Sequence, residues 1–425
     1  MLTNDAIITV DIEKPAAGGR MIARHEGQVV LVQQAIPGER MRVRITRVRP
    51  GVAYADPVEV VEASPDRRAV QGDWMCGGCA YAHIAAARQP ALKAEILRDA
   101  LARIGGLTVP GPVPVAAGAG DGYRMRARLH VRRGRIGFFR EGTHELCDPA
   151  VTRQLLPETL ATLGRMEPAL HRARADGVTD LDLVENVQAT ERVVHLVLAP
   201  GAAPPRPGPL AAIAGATGIS CSAPRGPEAF SLGHPYVVDE VAVAGAAGGP
   251  VIRLRHHVES FFQANRYLLA TLVARVTGQV PAGRVLDLYA GVGPFAIALA
   301  ALGDREVVAV EGDRRGATDL AMNAIPYGAA VRAVHLPVER FLEGRSDPDA
   351  TLIVDPPRTG LSPEALAEIV ATGARRVVYV SCDVATLARD VRAFVAGGYG
   401  PTHVEAFDLF PNTAHVEGLV VLQRD

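Results

Sequence analysis

The sequence has 425 residues, which is too long for one ordinary domain, so we expect two or three domains. With 48% hydrophobic and 21% charged residues it is typical of a globular protein, and no apolar run reaches the roughly 18–20 residues of a membrane span. The N-terminus lacks a secretory signal pattern, and the net charge of −1 gives no overall sign of a nucleic-acid partner. We expect a cytoplasmic monomer without a membrane partner.

The first half of the chain divides into two predicted regions. Residues 1–62 alternate short β-rich runs with Gly/Pro turns such as PAAGG and PGER, a spacing that predicts a small OB-like β-barrel. Residues 63–250 contain a CGGC element, a helical stretch over residues 85–106, and strand-like segments such as YRMRARLHV and GRIGFFRE. This mixture predicts a central α+β domain.

From Val251 onward the pattern changes to a regular alternation of apolar strands and amphipathic helices, and residues 259–278 predict the first helix. The strands predicted after it are RVLDLY, EVVAVE, VRAVHL, TLIVD, RVVYVSC, THVEAFDLF and GLVVLQR. Several are continuous apolar runs, as expected for strands that helices cover on both faces. Residues 251–425 are therefore predicted to form a Rossmann-like, doubly wound α/β domain that ends in an antiparallel strand pair.

A glycine loop follows the strand RVLDLY and marks a candidate cofactor site. Gly291 and Gly293 precede Pro294, which is well placed in the first turn of a helix, and glycines there let a ligand approach the backbone closely. Glu311 ends the next strand, 18 residues after Gly293, where a carboxylate can accept both hydroxyls of a ribose. Such a loop is often only a tight turn. Because the third glycine of a dinucleotide fingerprint is missing, S-adenosylmethionine (SAM) is favoured over NAD.

Chemically active side chains are predicted at successive strand ends. Asp355 ends the strand TLIVD because two prolines follow it, and Cys382 ends the next strand, RVVYVSC. His415 and Glu417 lie in the loop before the last strand, and we assign no role to His415. Taken singly, Cys382 is typical of a small core residue and Glu417 of a solvated carboxylate. Their convergence on one cleft is what indicates chemistry.

A thiol and a carboxylate beside SAM fit one reaction. Carbon 5 of uracil is a poor nucleophile, and addition of a thiolate to carbon 6 creates an enolate whose carbon 5 can attack a methyl group. Cys382 would be that nucleophile, and Glu417 the base that removes the carbon 5 proton before the cysteine leaves. A free thiol with a pKa of about 8.5 is mostly protonated at pH 7, so the site should lower that pKa or make the addition concerted.

The motifs FFQAN, DLYAGVGPF, DPPRTG, YVSCD and PNTAHVE, in this order, resemble the motif series of the RNA uracil-5-methyltransferases. The resemblance covers essentially the whole chain, because the N-terminal part looks like a TRAM domain, a small RNA-binding barrel, and the CGGC region looks like the family's iron–sulfur segment. It implies Cys382 as the nucleophile and Glu417 as the general base. The residues that it implies as SAM contacts are Gln263, Tyr289, Glu311 and Asp355.

The cysteines depart from the pattern of the family members that bear a cluster. An odd count of five, without a signal peptide, argues against a disulfide framework. Cys76, Cys79 and Cys147 match three of the family's cluster ligands, whereas the first ligand position falls at Val70. Because a 4Fe–4S cluster normally needs four thiolates, the sequence leaves its presence open.

The sequence also differs from the family's motifs at positions near the possible cluster and the cofactor site. With three cysteines, the alternatives are an incomplete cluster, no cluster, or a fourth ligand of another type, for which Asp73 and His83 are near in the sequence. Ala290 replaces a cysteine that the family often has before the first glycine of the loop, a harmless change. Pro337 stands where the family usually offers an acidic or amide side chain, which puts one adenine contact in doubt.

Two rows of arginines fit an RNA backbone. Arg124, Arg126 and Arg128 share one face of a predicted strand, and Arg42 and Arg44 share one face of another. A solvated edge strand explains such rows equally well. The TRAM-like barrel and the cluster-like segment favour 23S rRNA as the substrate over uridine 54 of tRNA. Two other hypotheses stay open: an amine methyltransferase, which needs no cysteine, and an RNA-binding protein without catalytic activity.

Overall fold

The N-terminal strands, in which apolar and polar residues alternate, form a closed β-barrel, as predicted. The computed structural model describes residues 2–70, 73–224, 226–243 and 249–424. Met41 and Val43 point into the barrel, while Arg42 and Arg44 stay exposed on its outside. The strands, in the spatial order first, second, third, fifth and fourth, are β1 (Ile7–Pro15), β2 (Met21–His25), β3 (Gln28–Val32), β4 (Arg40–Arg49) and β5 (Val52–Glu62).

The segment after the barrel docks against the C-terminal half of the chain. Its helix, α1 (Gln89–Arg103), carries Pro90 in its first turn, where the missing N–H of proline costs nothing. Leu97 and Leu101 of this helix belong to the apolar core of the C-terminal sheet. The short strand β6 (Val115–Ala116) also joins that sheet at its edge. Part of the predicted central region therefore packs with the C-terminal domain.

A mixed sheet with a helix on one face forms the central domain. The helix α2 (Pro157–Ala173) shares an apolar cluster with the sheet. Glu185 is fully buried in this sheet and pairs with Arg192 and with Arg266, which ties the sheet to the C-terminal half. The strands are β7 (Arg126–Arg132), β8 (Arg135–Phe139), β9 (Leu146–Cys147), β10 (Val178–Glu185), β11 (Arg192–Leu198), β12 (Gly218–Ser222) and β13 (Glu228–Gly233). Their spatial order is β13-β12-β11-β10-β7-β8-β9.

An antiparallel hairpin of β14 (Tyr236–Ala242) and β15 (Val251–His257) leads into the C-terminal domain. The next helix, α3 (Leu269–Gly278), is shorter than predicted, and the helix expected over residues 259–278 is wrong in its first half. Asn265 explains the difference, because its side chain accepts hydrogen bonds from the two backbone N–H groups at 267 and 268 and so turns the chain just before the helix. The domain boundaries stay predictions, and this hairpin spans the second one.

A doubly wound sheet forms the C-terminal domain, which confirms the predicted α/β class. Its strands are β16 (Gly283–Leu288), β17 (Arg305–Glu311), β18 (Val331–His335), β19 (Thr351–Val354), β20 (Arg376–Ser381), β21 (Tyr399–Phe407) and β22 (Glu417–Arg424). Its helices are α4 (Pro294–Leu302), α5 (Arg314–Ala324), α6 (Val338–Leu342), α7 (Pro363–Ala371) and α8 (Val384–Ala396). The spatial order is β18-β17-β16-β19-β20-β22-β21-β6, and β22 runs antiparallel to both of its neighbours. Within the described ranges, no helix is long and apolar enough to cross a membrane.

We expect Leu97→Ala to destabilise the C-terminal domain, although the residue lies in the predicted central region. Leu97 is fully buried and lies beside Gly418 of β22, so truncation leaves a cavity that costs about 2–5 kcal/mol. The measurement is unfolding by denaturant, followed by circular dichroism. The exposed neighbour Arg98 provides the control, because Arg98→Ala should change the stability by about 0.5 kcal/mol or less. Equal stability of the two variants would contradict the packing described here.

Candidate active site

The pairing of β20 with β22 brings two predicted catalytic residues together. Ser381 lies opposite Gly418 in this antiparallel pair, so the next residues outward, Cys382 and Glu417, face each other at the end of the sheet. Asp383 directly after Cys382 accepts hydrogen bonds from two backbone N–H groups and starts α8, which ends the strand at this point. The thiol therefore lies at the mouth of the cleft rather than inside the sheet.

The electrostatic neighbours of the Cys382 thiol include two other predicted site residues, Glu417 and Asp355. Burial, followed by the charges of Glu417 and Asp355, raises the pKa of Cys382 to about 11, against the lowering effect of the charge and the hydrogen bond of Arg358. The side chain is only half-buried. Before substrate binds, the thiol is thus protonated at neutral pH. The low thiol pKa that nucleophilic attack favours is not present in the free enzyme.

Two carboxyl groups flank the thiol in a poorly solvated environment. Glu417 is almost fully buried, and burial together with the charge of Asp355 raises its pKa well above the usual value, against the opposing charge of Arg358. Burial also raises the pKa of Asp355 to about 7, with a further contribution from Glu311. Both groups hold a proton more tightly than an ordinary carboxylic acid does, so either one is a better base once it is ionised.

The glycine loop has the geometry of a ligand-binding turn. Gly291 and Gly293 have φ values of 57° and 94°, a region that favours glycine, and a Cβ on Gly293 would lie 2.7 Å from a methyl carbon of Leu320. The backbone N–H of Gly291 donates to Glu311 Oε2 at 2.7 Å, which fixes this carboxylate beside the loop. A Cβ on Gly291 would meet open space. Tyr289 lies just before the loop, also at a positive φ of 61°.

Asp287 is a candidate site residue that the sequence analysis missed. It is fully buried in β16, where Oδ2 accepts a hydrogen bond from the backbone N–H of Ala296 at 3.0 Å and Oδ1 has no hydrogen-bond partner among the described residues. Burial, followed by the charge of Asp355, raises its pKa to about 8. A carboxylate inside the apolar strand RVLDLY was the available signal, because charged groups are rarely fully buried without a function or a partner.

Gln263 and Pro337, the other residues that the sequence connects with SAM, both lie in connecting segments. Gln263 is half-buried in the irregular segment before α3, and its neighbour Asn265 donates a hydrogen bond to the backbone carbonyl of Leu409, close to the loop before β22. Pro337 follows β18 and directly precedes α6. Burial, followed by the charge of Glu339 in the first turn of α6, raises the pKa of the Tyr289 phenol. The roles of Gln263 and Tyr289 as SAM contacts stay predictions.

The cysteines of the CGGC region are arranged differently from a cluster site. Cys76 and Cys147 form a disulfide, which corrects the expectation from the odd cysteine count. Cys79 is a buried free thiol, and burial together with the charge of Asp73 raises its pKa to about 11. Of the three cysteines that match cluster ligands, two are therefore joined covalently and the third is a protonated thiol.

The two candidates for a fourth cluster ligand have other partners. His83 is buried and its Nε2 lies 3.0 Å from the carbonyl oxygen of Ala35 in the barrel, while Asp73 forms an ion pair with Arg140 at 2.5 Å. Across the described part of the chain, no group of three or more His, Cys, Asp or Glu side chains is placed to hold a metal ion. A 4Fe–4S cluster does not fit the residues present, and no step of the chemistry is assigned to one.

Arg126 and Arg128 of the predicted arginine row alternate with apolar residues along β7, whereas Arg124 precedes that strand, and the charges of the row are partly used within the protein. Arg128 donates two hydrogen bonds to the carboxylate of Asp182, at 2.7 and 2.8 Å. Arg124 donates to the side chain of Gln154 at 2.6 Å, and its guanidinium lies over the rings of Phe138 and Phe410. The RNA contacts expected of this row stay predictions.

Two family models match the chain. A TRAM domain model covers residues 3–58, and a tRNA (Uracil-5-)-methyltransferase model covers residues 347–425. The first match coincides with the N-terminal barrel. The second contains β19 to β22, and therefore Asp355, Cys382 and Glu417.

Full-length relatives agree with these matches. An uncharacterised RNA methyltransferase of Streptomyces avermitilis is 34% identical over 97% of this chain and 97% of its own length. The 23S rRNA (uracil(1939)-C(5))-methyltransferase RlmD of Halomonas elongata is 33% identical over 97% of this chain and 89% of its own length. The enzyme of the same name from Alkalilimnicola ehrlichii is 34% identical, over 96% and 94% respectively.

A solved structure shares the whole architecture. The tRNA (uracil-54, C5)-methyltransferase of Pyrococcus abyssi, in complex with S-adenosyl-L-homocysteine, superposes with a TM-score of 0.78 over 97% of this chain and 99% of its own, at 24% identity. This likeness supports the fold, and the family assignment rests on the relatives that are at least 33% identical in sequence. The chain belongs to the RNA uracil-5-methyltransferase family and is a SAM-dependent RNA methyltransferase.

Proposed function

We propose that this enzyme methylates carbon 5 of a uridine in 23S rRNA through a covalent bond between Cys382 and carbon 6 of the uracil ring. The observation that carries the proposal is the position of Cys382 opposite Glu417 at the end of the sheet, with Asp355 beside them. A nucleophile and a base at adjacent strand ends are what a reaction needs when it adds to carbon 6 and then removes a proton from carbon 5.

The cleft suits a positively charged methyl donor. SAM carries a sulfonium and an ammonium group, and the carboxyl groups of Asp287, Glu311 and Asp355 lie together at the ends of β16, β17 and β19. The unpartnered Oδ1 of Asp287 is a buried acceptor that a cation can satisfy. Glu311 would accept the ribose hydroxyls, because its oxygens keep lone pairs after the bond from the Gly291 N–H.

The mechanism begins with the thiol of Cys382. As its sulfur bonds to carbon 6, the electrons of the ring double bond move toward the carbonyl oxygen at carbon 4, and the nearby guanidinium of Arg358 provides a compensating positive charge. The pKa of about 11 keeps the free thiolate scarce, so the thiol proton passes to a water molecule as the sulfur adds, because the half-buried side chain is accessible at the mouth of the cleft. Addition and proton loss are therefore concerted. Bound SAM would supply the methyl group that carbon 5 accepts, with the neutral thioether as the leaving group.

Glu417 completes the reaction. After methylation, carbon 5 carries both a methyl group and a proton, and the carboxylate of Glu417 takes that proton. The electrons of the broken C–H bond restore the double bond, the bond between sulfur and carbon 6 breaks, and the Cys382 thiolate leaves. Burial raises the pKa of Glu417 and makes it a stronger base than an exposed carboxylate.

The first test in this cleft is a pair of variants at the two strand ends. Cys382→Ala should abolish methylation and also the stable adduct with RNA that contains 5-fluorouridine, because no sulfur remains to add to carbon 6. Glu417→Gln should still form the adduct, but it should release methylated RNA at least about a hundredfold more slowly. Denaturing gels with labelled RNA measure the adduct, and transfer of a tritiated methyl group measures the product.

Binding of SAM serves as the control for both variants, since neither residue belongs to the proposed SAM contacts. Calorimetry should give an unchanged affinity. Methylation that persists in Cys382→Ala would exclude the covalent route and would favour methylation of an amine instead.

We expect the affinity for SAM to rise with pH between pH 6 and pH 8. In the free enzyme the pKa of Asp355 is raised to about 7 and that of Asp287 to about 8, so both groups are largely protonated below these values. A cation binds to the ionised forms, and each proton released increases the affinity by up to about tenfold per pH unit. Titration calorimetry in buffers of different ionisation enthalpy measures the affinity and the proton release together.

Two comparisons sharpen the pH experiment. S-adenosylhomocysteine has lost the sulfonium charge and should show a shallower dependence. Asp355→Asn removes one of the titrating groups and should reduce the slope. An affinity for SAM that is constant across this pH range would contradict the proposed role of the carboxyl cluster.

The choice of 23S rRNA rests on the relatives of this chain. The RlmD enzymes of Halomonas elongata and Alkalilimnicola ehrlichii, which are named for uracil 1939 of 23S rRNA, are at least 33% identical over nearly the whole chain. Uridine 54 of tRNA is the second candidate. It is favoured by the family model over residues 347–425 and by the architecture of the Pyrococcus abyssi enzyme.

The substrate can be identified by mapping 5-methyluridine in RNA from cells with and without the gene. We expect one position of 23S rRNA to lose its methyl group in the deletion strain and to regain it when the wild-type gene is restored. The Cys382→Ala gene is the matched control and should restore nothing. Loss of methylation in tRNA alone would replace 23S rRNA with tRNA as the substrate.

A further inference from the structure

The loop over residues 408–416 connects β21 to β22 and therefore leads directly into Glu417. Its first residue, Asp408, follows Phe407, which lies opposite Glu417 in the pairing of β21 with β22. The position of Asp408 thus fixes the end of the strand against which Glu417 is placed. The 408–416 loop also carries Phe410 and His415, whose rings pack edge to face at 5.8 Å.

Lys93 of helix α1 holds the start of this loop. The side chain of Lys93 is fully buried, and its Nζ donates to Asp408 Oδ1 at 2.5 Å and to the carbonyl oxygen of Phe410 at 2.9 Å. Asp408 is 4% exposed, so the ion pair is shielded from water. A buried pair of this kind is sensitive to the loss of either partner, because the remaining charge is left unpaired.

Gln89, one helical turn before Lys93, holds the middle of the same loop. Its amide donates to Asn412 Oδ1 at 3.0 Å and accepts from the backbone N–H of Asn412 at 2.8 Å. Asn412 adopts a φ of 62°, a left-handed conformation that asparagine tolerates better than most residues, and these bonds stabilise it. Two residues spaced by four on α1 therefore help to set the path of the loop, together with Arg68, which also donates to Asn412 Oδ1.

We propose that Lys93 is a positioning residue, which acts through Asp408 to hold Glu417 at the distance from uracil carbon 5 that proton removal requires. This inference rests on the proposed covalent mechanism. Lys93 does not itself contact the reacting atoms. The glycine loop, Asp355 and Cys382 directly follow β16, β19 and β20, whereas both side-chain hydrogen bonds of Lys93 to described residues go to the 408–416 loop.

The consequence is specific to one step. Displacement of Glu417 slows the removal of the carbon 5 proton, but it leaves SAM binding, the addition of Cys382 and methyl transfer in place. Because the sulfur leaves only after that proton is removed, the methylated adduct between protein and RNA should accumulate. Misplacement of a catalytic group by about 1 Å can cost roughly a hundredfold in rate. A residue that only stabilises the fold would lower all steps together.

The experiment compares Lys93→Met with the wild-type enzyme on total RNA from the deletion strain, in single turnovers with tritiated SAM. We expect release of methylated RNA to fall about tenfold to a hundredfold, and the fraction of label in a denaturant-stable adduct to rise. The affinity for SAM should stay within about twofold. Lys14→Met is the matched control. Lys14 is the other lysine of the sequence, and like Lys93 it pairs with an aspartate, but its partner is Asp99 of α1 rather than a residue of the loop.

The double variant Lys93→Met/Asp408→Leu keeps the test decisive if the single variant does not fold. It replaces the ion pair with apolar side chains, which a buried site often tolerates. It should also accumulate the adduct. Parallel loss of adduct and product, or wild-type behaviour of the folded variants, would overturn the positioning role. If the wild-type enzyme forms no adduct even with 5-fluorouridine RNA, the covalent mechanism fails, and this inference fails with it.

Discussion

The site depends on the antiparallel insertion of β22 between β20 and β21. Its register with β20 puts Glu417 opposite Cys382, and a shift by one residue would turn the carboxylate to the other face of the sheet. Gly418 helps to fix this register, because a Cβ at that position would lie 2.6 Å from a methyl carbon of Leu387 in α8. With no side chain there, α8 packs closely on the strand, and both catalytic candidates stay at the mouth of the cleft.

Burial of carboxyl groups sets the character of the site. Asp287, Asp355 and Glu417 all have raised pKa values chiefly because water is largely excluded. The charge of Asp355 also raises the pKa of Asp287 and of Glu417, and the charge of Glu417 raises that of the thiol. The free enzyme thus holds protons that the reaction must move. A cationic methyl donor relieves part of this electrostatic cost, since positive charge favours ionised carboxylates. The same desolvation that makes the unliganded cleft unfavourable raises the pKa of Glu417, as the proposed removal of a proton from carbon requires.

Local patterns predicted those parts of the molecule in which local forces dominate. The continuous apolar strands of the C-terminal sheet and the prolines after Asp355 were sufficient to place Cys382 and Glu417 at strand ends. The predicted start of the helix before β16 was wrong because distant partners hold the FFQAN segment in an irregular conformation. Asn265 donates to the carbonyl of Leu409, and Arg266 pairs with Glu185. No helical periodicity contains such information. The bonds between Lys93 and Asp408 span 315 positions and were equally invisible.

The CGGC segment is attached to the rest of the protein by hydrogen bonds and a disulfide rather than by a complete set of cluster ligands. Gly77 is bonded through its N–H to the carbonyl of Phe139 and through its own carbonyl to the side chain of Gln154, while Cys76 is linked to Cys147. These contacts fasten the segment to the central sheet. The chain then runs directly into α1, so the position of Gln89 and Lys93 depends on that attachment. The central sheet and Glu417, the proposed base, are therefore connected through the CGGC segment, α1 and the 408–416 loop.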